Sequence, residues 1–457
     1  MVNDIVKKAH FIGIGGIGMS GIAKLFLCHG IKVSGSDLKR TAITDELLNA
    51  GAKIFIGHDA KNVCDSDTVI YSSAIKNDNP EFVQAKKQQT RLIKRAEALA
   101  ELMKNKSVIT VAGSHGKTTT TSLVSFLLME AGLSPTVAIG GILKNIDKNA
   151  CSGKGKLFVA EADESDGSFL CYAPRYSIIT NIDYEHLDYY KDFKNEVGAF
   201  KDFLNKTDKN GCAFCCWDDV NLRGILKNYK NKCITFGLSE GADIYPRNVS
   251  LFGLTSEFDC FYKGKFVDRF YLSLGGEHNV SNCLSVIALG LELGIGLKVI
   301  KSALNKYKGA DRRQEVKFKD SDYTIIDDYA HHPTEIKATL AAIKNLKSKR
   351  VIAIFQPHRF SRTKLLFDEF TKCFNLADLL IITDIYPASE LPIPEVTAEN
   401  LVKKIKDDFP RKRVHFVLKE NIVEHIVKII RPNDIVITLG AGDIVKTCEE
   451  LVERIRK

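Results

Sequence analysis

Short apolar runs alternate along this chain with longer stretches in which apolar residues recur every three or four positions. The first kind predicts strands buried on both faces, and the second predicts helices that cover them. Their alternation predicts α/β architecture with parallel sheets. Three blocks follow this plan. The first opens with an apolar run that feeds a glycine-rich turn, Gly13–Gly18, and continues with strands at Ile31–Val33, Lys53–Ile56 and Thr68–Tyr71. The second opens at Val108–Val111 and has later strands at Leu157–Ala160 and Tyr176–Thr180. Residues 243–274 read as short strands with glycine turns, a small antiparallel sheet, with a helix following from Ser281. The third block has strands at Tyr323–Asp327, Val351–Phe355, Leu379–Thr383, Val414–Val417 and Ile435–Leu439. Joints at Lys104–Lys106 and Lys306–Ala310 give expected domains at 1–105, 106–309 and 310–457.

A length of 457 residues agrees with three blocks at about 150 residues per domain. With 45% hydrophobic and 26% charged residues, the chain is neither disordered nor a coiled coil. A net charge of +9 without a basic stripe suits anionic small ligands and excludes a nucleic-acid partner. The 12 cysteines are scattered through apolar runs without paired CxxC spacing, as expected of free thiols in a reducing cytosol. Lys7 and Lys8 precede an apolar stretch, but the glycines between Gly13 and Gly21 would weaken a signal helix. No run reaches the ~18 apolar residues of a membrane span, so a cytoplasmic protein without membrane association is expected.

Chemistry concentrates at the strand ends. Gly13-x-Gly15-x-x-Gly18 lies between a strand and a helix, and Asp37 ends the next strand. Bare glycines let the backbone approach a diphosphate, the helix N-terminus supplies N–H donors, and the acid suits ribose hydroxyls. This pattern does not separate a nicotinamide dinucleotide from a nucleotide-sugar, and tight packing alone also explains glycines. Ser72 and Ser73 end another strand of that sheet. The turn Gly113-Ser114-His115-Gly116-Lys117-Thr118-Thr119 is more specific. It is a shortened G-x-x-G-K-T loop, with Lys117 suited to β/γ-phosphates and the Thr118 hydroxyl to Mg²⁺. Glu161 ends the neighbouring strand as a hard oxygen ligand, although a solvated acidic loop would look the same. His186 follows Tyr176–Thr180, where a structural or a metal-binding role is equally open. Asn279 and Asn282 share a face of a starting helix, and capping serves Asn279 as well as ligand contact. In the third block, Asp328, His331 and His332 follow one strand, while His358 and Arg359 follow the next. Adjacent histidines rarely converge on one ion, so a polar wall that includes a carboxylate-binding arginine is preferred to zinc.

Two phosphate cradles exceed what a hydride-transfer enzyme or a simple NTPase needs. The motifs GIGGIGMSGIA, SSAI, GSHGKTTTT, EADESDGSF, NIDYEHLDYY, GEHNVSN, DDYAHHPTE, FQPHRFSRT and GAGD, in this order, resemble the Mur ligases of peptidoglycan synthesis. The resemblance spans nearly the whole chain. It implies a Rossmann-like, UDP-sugar-binding N-terminal domain, a central P-loop ATPase domain and a Rossmann-like C-terminal domain that admits an amino acid. The implied activity is cell-wall biogenesis chemistry, serving cell shape and division. ATP drives L-alanine onto the lactyl carboxylate of UDP-N-acetylmuramate through an acyl phosphate, with Mg²⁺ present, in a monomer or weak homodimer. A family member that recycles a tripeptide is the alternative, and an NAD-dependent oxidoreductase is a further one.

The same resemblance implies site roles. Gly15, Gly16, Ile17, Gly18, Ser36, Asp37, Ser72 and Ser73 would cradle the UDP-sugar. Gly113, Ser114, His115, Gly116, Lys117, Thr118, Thr119, Asn279, Asn282 and Asp328 would hold ATP. Thr118 and Glu161 would hold one Mg²⁺ and His186 a second. Arg313 would face the γ-phosphate, and His331, His332, His358 and Arg359 would line the amino-acid and acyl-phosphate region. Closure of the third domain over the second would exclude water. One departure stands out: the family usually has an aromatic residue after two arginines, whereas this chain reads Arg312-Arg313-Gln314-Glu315, and the tripeptide-recycling member lacks the aromatic as well.

Overall fold

The computed structural model describes residues 6–346 and 350–456. Two compact units divide the chain, the first comprising Met1–Arg247, Asp259–Phe270 and Ser281–Lys308, the second Asn248–Phe258, Tyr271–Val280 and Gly309–Lys457.

The first sheet contains β1 (Lys8–Ile12), β2 (Lys32–Asp37), β3 (Lys53–Ile56), β4 (Thr68–Tyr71) and β5 (Arg91–Lys94), in the order β3-β2-β1-β4-β5. All of its pairs are parallel. β1 is apolar because both faces are covered; Phe11, wholly buried, meets Phe26 of the helix Ile17–Cys28 edge-on at 5.5 Å. β2 runs on through the polar Ser34-Gly35-Ser36-Asp37, beyond the apolar stretch that predicted it. Gly35 makes this possible, since a Cβ there would lie 2.5 Å from Ile14 Cδ1. The order reverses at β1, which leaves a crevice at the carboxyl ends of β1 and β4, where α/β sheets bind ligands.

The central sheet contains β6 (Ser107–Ala112), β7 (Thr136–Leu143), β8 (Lys148–Cys151), β9 (Leu157–Glu161), β10 (Tyr176–Ile179), β11 (Cys212–Cys216), β12 (Cys233–Phe236), β13 (Ile244–Phe252), β14 (Thr255–Tyr262) and β15 (Lys265–Leu272). Its order is β15-β14-β13-β12-β11-β10-β6-β9-β7-β8. β6 lies between β10 and β9, parallel to both, so three strands end side by side. β7 and β8 form an antiparallel pair that packs on the helix Ile17–Cys28.

In the second unit β16 (Glu315–Lys319), β17 (Tyr323–Asp328), β18 (Arg350–Phe355), β19 (Leu379–Ile382), β20 (Val414–Phe416) and β21 (Asp434–Leu439) follow the order β16-β17-β21-β18-β19-β20. Only the edge pair β16–β17 is antiparallel. Neighbours along a strand point to opposite faces, so Ile326 joins one buried cluster and Ile325 the other. All 12 cysteines are free thiols. Among the described residues, no helix is long and apolar enough to cross a membrane.

Candidate active site

The turn after β6 contains two glycines at positions with no room for a side chain. Gly113 has φ +133°, and a Cβ on it would lie 2.1 Å from Thr180 Oγ1; Gly116 has φ +82°, and its Cβ would lie 2.8 Å from Asn282 Oδ1. The residues after β10 pin the turn. Asn181 Oδ1 accepts from His115 N–H at 2.8 Å, Thr180 Oγ1 donates to His115 O at 2.6 Å, and Asp183 Oδ2 meets His115 Nε2 at 2.8 Å. Asp183 N–H in turn donates to Ser114 Oγ at 2.8 Å. The sequence alone assigns no role to Asn181 and Asp183. Their signal was position, directly beyond a strand adjacent to the loop. The helix Lys117–Glu130 starts from Gly116 without a side-chain cap, which leaves its first N–H groups facing the turn.

Lys117 Nζ donates to Gly113 O at 2.5 Å, to Ser114 O at 3.0 Å and to Glu164 Oε1 at 2.8 Å. Burial alone would discharge this amine, but the carboxylates of Glu164, Asp163 and Glu161 outweigh it and hold the pKa above the ordinary lysine value. Thr118 Oγ1 donates to Glu161 Oε1 at 3.2 Å, while Gly140 N–H of β7 donates to Glu161 Oε2 at 3.0 Å. Burial raises the Glu161 pKa despite Lys117 and these two donors. The pair Gly140-Gly141 makes room here, because a Cβ would lie 2.8 Å from the Glu161 carboxylate or 2.9 Å from Thr118 Cγ2. Thr119 is nearly buried in the helix's first turn.

His186 lies 3.3 Å from Glu164 Oε1 and 3.5 Å from Glu185 Oε2, and one ligand atom from each of the three falls within 4.8 Å of the others. It takes φ +55° where it opens the short helix Leu187–Tyr190. Glu164 Oε2 is buried and has no hydrogen-bond partner among the described residues. Two carboxylates, an imidazole and an unsatisfied oxygen fit a divalent cation, as Thr118 and Glu161 fit another. Glu164 thus touches both the lysine and the histidine.

In the first sheet, Gly15 N–H donates to Asp37 Oδ2 at 2.9 Å, and a Cβ on Gly15 would lie 2.8 Å from that oxygen. Asp37 therefore shapes the turn as well as facing the crevice. Gly16 caps the helix Ile17–Cys28 in extended conformation without a side-chain bond, and Gly18 and Ile17 lie in its first turn. Ser72 and Ser73 sit beyond β4, across the crevice from this turn. Ser36 departs from expectation. Its wholly buried hydroxyl donates to Glu81 Oε2 at 2.6 Å and lies 3.0 Å from His58 Nδ1, so it closes an internal network rather than a cradle.

In the second unit the ends of β17, β21 and β18 are adjacent, which places the Gly440–Asp443 turn between Asp328–His332 and Gln356–Arg359. Arg312 is structural: it donates to Asp327 Oδ2 at 2.8 Å, Gly440 O at 2.6 Å and Gly442 O at 3.2 Å. Arg313 makes a longer pair with Glu335 at 3.4 Å, and both guanidinium groups lie over the Tyr329 ring. Asp328 accepts from Gln314 N–H at 2.8 Å and Ala330 N–H at 2.7 Å, and burial pushes its pKa up to about 6. Gln314 bends this segment with φ +49°.

The histidines divide by environment. His332 Nδ1 accepts from Thr334 N–H at 3.3 Å, which makes it the cap of the helix Pro333–Lys344. His331 Nδ1 faces Tyr329 O at 3.0 Å, an atom that only accepts, so its basic lone pair is on Nε2. His358 lies 5.8 Å from the His331 ring, and burial together with His331 and Arg362 pushes its pKa down to about 3. Arg359 takes φ +70° with its Nε unpartnered among the described residues. Asn282 lies against Gly116, whereas Asn279, in the first turn of the helix Glu277–Glu292, donates back to Gly275 O at 2.8 Å.

Comparisons with known proteins match this arrangement along the whole chain. Residues 8–107 match the catalytic domain of the Mur ligase family, 111–290 its middle domain and 312–442 the Mur ligase glutamate ligase domain. The UDP-N-acetylmuramate–L-alanine ligase of Geotalea uraniireducens is 48% identical over 99% of this chain and 98% of its own. That of Aquifex aeolicus is 45% identical over 100% and 99%. The crystal structure of the corresponding ligase from Thermotoga maritima superposes with a TM-score of 0.84 at 31% identity, covering 98% of this chain and 99% of that one. With three successive domains matched and the phosphate loop, its lysine and its carboxylates assembled at adjoining strand ends, the chain belongs to the Mur ligase family.

Proposed function

We propose that this protein joins L-alanine to the lactyl carboxylate of UDP-N-acetylmuramate at the expense of ATP, a step of peptidoglycan synthesis. Curated relatives at 44–48% identity over nearly the full chain bear the name of that activity. The observation that carries the reading is the meeting of Lys117 with Glu164, beside Thr118 and Glu161, in the same compact unit as a second glycine turn. One cradle serves a triphosphate and the other a diphosphate-linked sugar.

The first step brings an anionic carboxylate to the terminal phosphorus of ATP. A carboxylate oxygen forms a bond to phosphorus, the bond to ADP breaks, and an acyl phosphate results. Lys117 offsets the charge on the phosphates, while backbone N–H groups of Gly113–Thr118 orient them. Thr118 and Glu161 are the residues that would hold one Mg²⁺, and His186 with Glu164 a second; when bound, these ions neutralise charge on the phosphoryl oxygens. In the second step the alanine amine attacks the acyl carbon, phosphate departs and a proton must leave the nitrogen. His331 is the best placed of the three histidines to accept it. His332 spends Nδ1 on capping and His358 is held weakly basic. Arg313, Arg359 and Asp328 complete this set as the groups assigned to the γ-phosphate, the amino acid and ATP.

The test is ADP release that depends on both UDP-N-acetylmuramate and an amine. Lys117→Ala should lower it by about 10²–10³-fold, and wild-type turnover in that variant would defeat the reading. Offering L-alanine, glycine, serine and the intact tripeptide in competition, with products read by mass, identifies the amine. A preference for the tripeptide would reassign the chain to recycling.

A further inference from the structure

The helix Arg95–Met103 begins with an arginine whose side chain leaves its own sheet. Arg95 Nη2 donates to Asp163 Oδ2 at 2.9 Å, two residues beyond Glu161. Its Nη1 lies so close to the first glycine turn that a Cβ on Gly18 would be 2.9 Å away. One guanidinium thus touches both the diphosphate-type turn and the acidic strand end beside the phosphate loop. It also borders a cavity of about 180 Å³ whose wall includes Gly18, Asn149, Gly140, Glu161 and Asp163. Two of those wall residues are acids, and among the described residues Arg95 is the one basic side chain on it.

We infer that Arg95 binds the carboxylate of the sugar substrate as it crosses this cavity from the glycine turn toward the phosphate loop. This rests on the reading above that the first unit takes an acidic nucleotide-sugar. The physical need is specific. A carboxylate approaching a wall that carries Glu161 and Asp163 meets like charge unless a cation receives it. Lys117 is turned to Glu164 and to two loop carbonyls. Asp163 fixes one arm of the Arg95 fork, and since the guanidinium lines the cavity, its remaining donors would meet a carboxylate there in the planar geometry that carboxylates match. Gly18 is then small for two reasons, approach of a diphosphate and passage of Arg95.

Titration calorimetry without ATP separates the possibilities, using UDP-N-acetylmuramate and UDP-N-acetylglucosamine, which lacks the lactyl acid. Arg95→Gln should weaken the first by about 10–100-fold, the worth of a charge-assisted hydrogen bond, and leave the second within about twofold. Arg95→Lys should recover part of the loss and, if the glutamine variant does not fold, carries the same comparison against wild type. Equal loss for both sugars would assign Arg95 to the diphosphate or to packing and overturn the inference, as would no loss for either. Failure of the wild type to bind UDP-N-acetylmuramate would instead remove the functional reading itself, together with this inference.

Discussion

Lys117 Nζ and Glu164 Oε1 stand 2.8 Å apart with the carboxylate wholly buried, so the lysine that a triphosphate needs already has an anionic partner. Glu164→Gln keeps the shape and removes the charge. Breaking a buried pair from one side costs about 3–5 kcal/mol, and denaturant unfolding should show a loss of that order. Turnover should fall as well, because the lysine loses the group that aims it. Unchanged stability and rate in this variant would mean that the pair is ornamental.

The two glycines of the phosphate loop should differ from that of the sugar turn in what they disturb. Gly113→Ala places a Cβ into Thr180 Oγ1 and Gly116→Ala places one onto Asn282, both at positive φ. Each should weaken ATP binding by about 5–100-fold, since the strain alone is of order 1–3 kcal/mol, while UDP-sugar affinity stays put. Calorimetry with each nucleotide in turn measures the split.

Adjacent arginines in the second unit should behave oppositely. Arg312 holds buried Asp327 and two carbonyls of the Gly440–Asp443 turn. Arg312→Ala should therefore lower stability by about 3–5 kcal/mol. Arg313, with its longer contact to Glu335, should cost less stability than Arg312 on replacement by alanine but should reduce kcat. Unfolding curves and steady-state rates on both variants decide the assignment.

Acid sensitivity has an identifiable source in the first sheet. Glu81 is fully buried; burial would raise its pKa, but His10, Ser36 and Asn62 prevail and hold it at about 2. An unfolded glutamate titrates near 4.3, so between these values the unfolded chain binds more protons. The stabilisation, about 3 kcal/mol, is complete above pH 5 and disappears as pH falls toward 2. Glu81→Gln should flatten the stability profile over that window, which pH-dependent unfolding reads directly.

Much of this was legible in the sequence because parallel strands buried on both faces are short apolar runs that end in polar turns. The strands β1, β4, β6, β9, β10 and the core strands of the last sheet announce themselves in this way, and the site residues follow their last apolar position. Two apolar strands, β11 and β12, went unassigned because their cysteines read as scattered thiols, and the other omissions were polar or ambiguous. β2 continues through Ser-Gly-Ser-Asp, which no hydrophobic pattern marks, and the β7–β8 hairpin hides in Thr136–Cys151, where the Gly140-Gly141 pair reads as a turn. The contacts of Ser36 were beyond reach for a different reason. Its partners His58 and Glu81 are distant in sequence, and only the sheet order brings them together. Arg95 carried no motif at all. Gln314, conspicuous as a departure, lies against His278 at 3.4 Å where the family pattern has a ring.

Asn149 on β8 donates to Ile17 O at 2.6 Å, and Gly140 on the partner strand donates to Glu161. One hairpin therefore grips the start of the sugar-side helix with one strand and the phosphate-side acid with the other. The spacing between the two glycine turns is thus set like the jaws of a caliper, and on the function proposed above the reacting partners would inherit their separation from the scaffold instead of finding it by diffusion.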